Sequence, residues 1–440
     1  MACSAIVPAL LISFCAVTAR STDAASLSSR QTAGGVVPAG ATVLYVIPDD
    51  YAEPLDGWSP RCSADHTFCA YHARRGPESF VVVNGKPGPV YEDVRSIVFS
   101  RSGQVAYEAR RNGVWVVVTD GKEGPPFDRI EHLTFGGNVV AYVGERATRR
   151  RVVVGARMSE EDSAITGFTL SRDGTSYAYV VTREQTMVSL SGLFLNGKYF
   201  WEDNLISSVS FTNDGRLVFA SRTGTAGKGR SKLMMGDEVL SEHSEILTAI
   251  AISSDGKQWA PVGCVGAAAQ RRCVLTRDGA TVREAAAIDL PTFAPDGSTL
   301  AYAARPVGGQ WRVVVGDRTG PDVDAVLGPI VFSADSRRYA YPVRKGRSEA
   351  VVVDHVVGPS FEAVEDLVFS DDSNHFAYTA THSGEQRVVL DQFTGPAFRW
   401  VSEPGFDAGG KTLTFVAQEG RRFMRVMVPV GAGSAGVPRK

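Results

Sequence analysis

The chain has 440 residues, 44% of them hydrophobic and 21% charged, with a formal net charge of −2. This is the balance of a globular protein with enough apolar surface for a large core, and it excludes a membrane protein of many spans. It also excludes a global basic field that would gather nucleic acid. Forty-five glycines and 22 prolines imply many turns, and hence many short elements.

The first 19 residues carry no charged side chain, and Ile6 to Ala19 is an apolar run too short to span a bilayer comfortably. Small residues at Val17-Thr18-Ala19 stand where a signal peptidase cuts, so residues 1–19 are expected to be a secretory signal, although no Lys or Arg precedes the apolar run. A lipid anchor at Cys15 is disfavoured by the bulky Phe14 before it. Residues 20–40, rich in Ser, Ala, Thr and Gly, read as a flexible linker, and residues 431–440 as a loose tail. The expected locale is periplasmic or secreted, with no membrane span once the signal is removed. Outside the signal, Cys62 and Cys69 form one close pair, and Cys264 and Cys273 another. Even, closely paired cysteines behind a signal predict two disulfides in an oxidising compartment.

Between linker and tail the chain repeats itself. Asp-Gly recurs every 41 residues at Asp173, Asp214, Asp255 and Asp296, and continues as Asp335-Ser336 and Asp372-Ser373. An apolar stretch ending in Ser, Thr or Ala-Pro precedes each turn. A small-aromatic pair such as Ala106-Tyr107, Ala301-Tyr302 or Ala377-Tyr378 follows it. A β-branched run comes next, such as Val116 to Val118, and then a hairpin signal such as Asn84-Gly85, Asp120-Gly121 or Asn196-Gly197. Gly-Pro and an aromatic often close the unit, as in Gly88-Pro89-Val90-Tyr91. Each unit therefore reads as strands a, b, c and d of an antiparallel meander. One such sheet cannot bury both faces alone, whereas a ring of sheets buries each against its neighbours. The expectation is an all-β propeller over residues 41–430, with nine or ten four-stranded blades beginning near residues 58, 96, 132, 166, 207, 248, 289, 327, 365 and 402. The last unit lacks a strand d, and Ala41 to Pro48 is a strand without a unit. It is expected to supply that outer strand and close the ring.

Phe293-Ala-Pro-Asp-Gly-Ser-Thr-Leu-Ala-Tyr302 resembles the WD40-like (PD40) repeat of the TolB type, an FSPDG turn followed by a short aromatic strand. Residues 332–341 and 170–179 match it less closely, and the Gly-His and Trp-Asp of true WD40 units do not recur. The resemblance implies a periplasmic or secreted propeller used for protein contacts, and no particular activity.

The Asp of each Asp-Gly turn invites a calcium reading, but its type and place suit an Asp capping its own turn. The seven histidines show no metal-ligand spacing, and no nucleophile elbow appears. No metal, cofactor or catalytic residue is assigned. One pattern remains. Adjacent basic residues recur between strands b and c: Arg74-Arg75, Arg110-Arg111, Arg149-Arg150-Arg151, Arg271-Arg272, Arg344-Lys345 with Arg347, and Arg421-Arg422. In a propeller all b–c loops share one face, so these arginines are a candidate surface for an anionic ligand. Acidic runs read as outer strands share that face: Glu160-Glu161-Asp162, Glu202-Asp203 and Glu365-Asp366. They set a field that cancels the arginines. The reading is an exported, monomeric, non-catalytic binding or scaffold propeller for a protein or an anionic glycan. Its alternative is a glycan hydrolase or lyase with a site at the central channel.

Overall fold

The computed structural model describes residues 40–52, 60–162, 164–184, 189–224, 229–266 and 270–430. The expected signal peptide, most of the linker and the tail lie outside them. Within them the chain forms ten antiparallel sheets in chain order, each a meander of strands a to d. Blade 2 is representative, with strands Asp93–Phe99, Val105–Arg111, Val114–Thr119 and Lys122–Glu123. The blade number is thus ten, and the expected starts fall within a few residues of the strands a. In blades 8 and 10, strand a is split into Ala325–Val326 with Val331–Phe332, and Trp400–Val401 with Gly405–Phe406. Pro329 and Pro404 fall in the gaps, where a residue without an N–H cannot continue the ladder.

Side-chain alternation turns sheets into a ring. On strand b of blade 2, Tyr107 and Ala109 pack with Ala70 and Val81 of blade 1. Ala106, one residue out of phase, packs with Phe127, Tyr142 and Val153 toward blade 3. The recurring Ala-Tyr pair therefore serves both neighbours at once, with the small residue admitting one blade and the ring reaching the other. Ten buried apolar clusters lie at ten successive blade interfaces, including the one between blades 10 and 1.

Closure follows the expected route. The N-terminal strand Ala41–Val46 pairs antiparallel with Arg422–Pro429, the last strand among the described residues, and completes blade 10. Tyr45 on it stacks on Phe423 at 4.7 Å and on Tyr71 of blade 1 at 5.7 Å. Arg421 donates to the backbone carbonyls of Ile47 and Tyr51 at 3.0 and 2.9 Å.

Both turn types of each blade meet on one face. In the a–b turns, Ser63, Ser171 and Ser370 each donate a hydroxyl hydrogen bond to the Asp two residues on. Each Ser also accepts the N–H five residues on. Asp65, Asp173 and Asp372 are thereby held down near pKa 2, chiefly by the Ser hydroxyl. The turn uses these carboxylates as its own cap. In the c–d turns, Asn84-Gly85 and Asp120-Gly121 take positive φ at both positions, as a type I′ turn requires. Asn84 accepts the N–H of Cys69, which ties the c–d turn to strand b.

The two disulfides form as expected, Cys62–Cys69 and Cys264–Cys273, with Cα–Cα distances of 4.0 and 4.1 Å. Each joins directly opposed residues, the first on strands a and b of blade 1 and the second on strands b and c of blade 6.

Two outcomes test the fold. Tyr45→Ala removes a buried ring from the closure, and urea unfolding should show a loss of about 3–5 kcal/mol. A smaller loss, within that of an exposed site, would show that closure does not depend on this ring. The second outcome concerns acid. The turn carboxylates ionise more readily folded than unfolded, so their contribution is complete above the unfolded value of 3.8 and fades as pH falls toward 2. Circular dichroism melts should decline gently below pH 6.5, where the buried neutral His66, His72 and His243 begin to oppose protonation, and drop more steeply between pH 4 and 2. Replacing Asp173 and Asp372 together by Asn should flatten that drop.

Candidate functional site

The structure places the sequence-assigned arginines at the b–c ends of strands b and c, and gives most of them a carboxylate. Arg74 pairs with Asp93 at 3.2 Å, Arg75 with Glu78 at 2.9 Å, and Arg110 with Glu92 at 3.8 Å. Arg111 reaches Glu123 at 2.6 Å while its guanidinium lies 4.7 Å from the centre of the Tyr91 ring. Arg149 and Arg151 share Glu161 at 3.9 and 2.8 Å, and Arg150 holds Glu145 at 2.9 Å and Glu131 at 3.5 Å. The acids come from all four strands and from the d–a loops. The rim is thus a mixed lattice of paired charges. The tip of blade 8 differs. Arg344, Lys345 and Arg347 are exposed and form no ion pair among the described residues. Arg344 and Lys345 do lie near enough to Asp324 to help hold its carboxyl down, after its bonds from Gly346 N–H and Gln310.

One acidic run sits elsewhere than its sequence suggests. Glu365-Asp366 belongs to strand a of blade 9, Ala363–Phe369, and not to an outer strand. Strand a is the innermost strand of a propeller blade, and here it is bulged. The register slips between Arg95 and Val98, Glu131 and Thr134, Ser207 and Ser210, Asp289 and Thr292, and Glu365 and Val368. A residue of positive φ lies in each bulge: Ser96, His132, Ser208, Leu290 and Asp366. A bulge re-aims side chains, and five repetitions leave extra residues along the innermost strands.

The channel these strands enclose is uneven in charge. In blade 2 the exposed Arg95 is held by the buried Glu108 at 2.7 Å and lies 3.9 Å over the ring of Trp115. In blades 9 and 10 carboxylates gather. Glu365, Asp366 and Glu403 are exposed to solvent, yet the protein around them pushes all three carboxyls up from their ordinary values. Loss of hydration is the main cause, and Asp366 adds repulsion to both glutamates. Arg61 of blade 1 opposes the rise in all three, and the Thr379 hydroxyl donates to Asp366 at 3.0 Å. Sequence reading missed this group because its members lie on different blades, with Glu365 and Asp366 at the bulge of blade 9 and Glu403 in the gap of blade 10's split strand a.

No protein-family model matches the chain, and no curated protein matches it. Solved structures that it is similar to are β-propellers or contain them. A eukaryotic initiation factor is 11% identical, over 72% of this chain and 90% of that one, with a TM-score of 0.46. TolB from Acinetobacter baumannii is 13% identical over 57% and 79%, with a TM-score of 0.27. The propeller domain of the Trilobed protease from Pyrococcus furiosus, described as having an open velcro topology, is 14% identical over 60% and 94%, with a TM-score of 0.34. At these values the likenesses say nothing about function. The class that the fold itself defines is a ten-bladed β-propeller, closed by its own N-terminal strand.

The channel reading has a direct check. Arg61→Met should shift the carboxyl titrations of Glu365 and Glu403 upward. Carbodiimide labelling followed across pH by peptide mass spectrometry would measure this. An unchanged profile would place Arg61 too far away to act.

Proposed function

We propose that this chain is an exported, non-catalytic propeller of the TolB-like kind that binds a partner protein across its b–c face. The observation that carries the reading is the rim itself, where most of the guanidinium groups are already matched to carboxylates. A polyanionic glycan would have to displace those carboxylates. A protein surface of mixed charge meets them without leaving a like charge opposed. The unmatched tip of blade 8 then supplies an acidic residue's counterpart at one point of the ring. The two disulfides support an oxidising compartment, and the apolar run at Ile6 to Ala19 supports export into it.

A second reading keeps a hydrolase or lyase site at the channel, and the raised carboxyls of Glu365 and Glu403 favour it. Carboxyls with raised pKa values are what glycan chemistry uses as acids.

The test is capture of partners from the native envelope or secretome by the mature protein. A variant carrying Arg344→Glu and Arg347→Glu should lose the partner, whereas Glu365→Gln should retain it. If the Glu365→Gln variant alone loses a bound glycan, the channel reading replaces the first. Capture untouched by either change would remove the b–c face from consideration.

A further inference from the structure

The ten blades are copies, so each register position can be compared with nine others in the same molecule. On strand b, one position facing the preceding blade is aromatic in nine blades, running from Tyr71 and Tyr107 to Phe415. Its partner across on strand c is apolar in the same nine, from Val82 and Val118 to Val426. In blade 6 the register puts Pro261 and Thr276 at these two places. Two residues further along strand b, where blades 1 and 2 have Ala73 and Ala109, blade 6 has Gly263. The preceding blade adds no bulk. Where blades 1 and 2 put Tyr91 and Phe127 against their neighbour, blade 5 puts His243.

The consequence is a gap. The apolar cluster between blades 5 and 6 has five buried members, the fewest of the ten among the described residues. A cavity of about 280 Å³ opens between the outer strands of these blades. Its wall is largely polar, with Ser241, Thr276 and Thr281 beside the charged residues. Thr276 is 9% exposed, and its Oγ1 is buried with no hydrogen-bond partner. Three carboxylates line the cavity, Glu242, Glu245 and Glu284, against one guanidinium, Arg272. Arg272 is committed to Glu284 at 2.8 Å, and Arg230 holds Glu242 at 3.3 Å. Glu245 forms no ion pair among the described residues. Its side chain lies over Gly263, where an added Cβ would come within 2.7 Å of the Glu245 Cβ. The His243 ring is hydrogen-bonded to the Ser241 hydroxyl at 2.9 Å, and burial favours its neutral form.

We propose that this cleft is a binding site for one cationic group, an ammonium or guanidinium, with Glu245 as its counter-ion and the Thr276 hydroxyl as a further acceptor. The volume lies just below the range of ordinary ligand pockets, which begins at about 300 Å³. It suits a basic side chain or a small amine, and it is too small for an oligosaccharide. The cleft reaches the b–c face at Arg272 and at Ser244 and Glu245 of the d–a loop, but its test uses small cations and does not depend on the partner sought there.

Isothermal titration and saturation-transfer NMR on the mature protein would use four probes: free arginine, N-acetyl-arginine methylamide, citrulline and glucose. At least one arginine probe should bind, and citrulline, its uncharged isostere, should bind at least tenfold more weakly. Glu245→Gln should weaken the arginine probe at least tenfold without moving the urea midpoint. Gly263→Val, which fills the cleft, should abolish binding. If that variant does not fold, Glu245→Gln decides alone. Binding of the capped arginine would assign the site to a protein side chain, and binding of free arginine alone to a small metabolite. Either upholds it. Equal binding of citrulline, preference for glucose, no binding at about 10 mM, or indifference to Glu245→Gln would overturn it.

Discussion

An unpaired β edge is the constraint on which this architecture rests. Blade 10 makes only its three inner strands from the end of the chain, and its fourth comes from Ala41–Val46. Pairing residues some 380 positions apart does more than cover an edge. It brings Tyr45 onto Phe423 and Tyr71, so the same contact that completes blade 10 builds the core between blades 10 and 1. Each other interface joins neighbours in sequence. This one alone turns a row of sheets into a ring, and it requires both chain ends to be in place.

The ring then imposes roles on every residue by position. A strand b residue faces one neighbour or the other according to its parity, which is why Ala and Tyr recur side by side. The turn Ser is buried because its hydroxyl serves both the Asp and a backbone N–H, and the Asp stays outside, where its charge is solvated. Departures from these roles are legible for the same reason. Pro261, Thr276 and Gly263 are ordinary residues by themselves. They become informative together, because the places equivalent to Pro261 and Thr276 are filled in the other blades by rings and apolar side chains.

Charge is distributed by a different rule. At the rim, arginines on strands b and c stand beside carboxylates of neighbouring strands, so exposed pairs neutralise a surface without contributing much stability. On the inner strands, Glu365, Asp366 and Glu403 lie close enough to Arg61 for its charge to oppose the rise in all three carboxyls. The protein therefore presents a balanced outer rim and an acidic stretch of inner wall.

Much of this was readable from the sequence. Repeat length, hairpin dipeptides and the orphan strand at Ala41 to Pro48 determine an all-β ring and its closure, because turn chemistry and strand alternation are local properties. Cysteine spacing likewise determined both disulfides, since seven- and nine-residue separations across a hairpin leave the partners opposed. The sequence also located the arginines on one face. It did not reveal their pairing, which depends on carboxylates brought from other strands by the twist and register of the sheets. Nor did it reveal that Glu365-Asp366 lies on an inner strand, or that blades 5 and 6 leave a gap. Those are properties of side chains from different repeats meeting in space, and only the tertiary structure decided them.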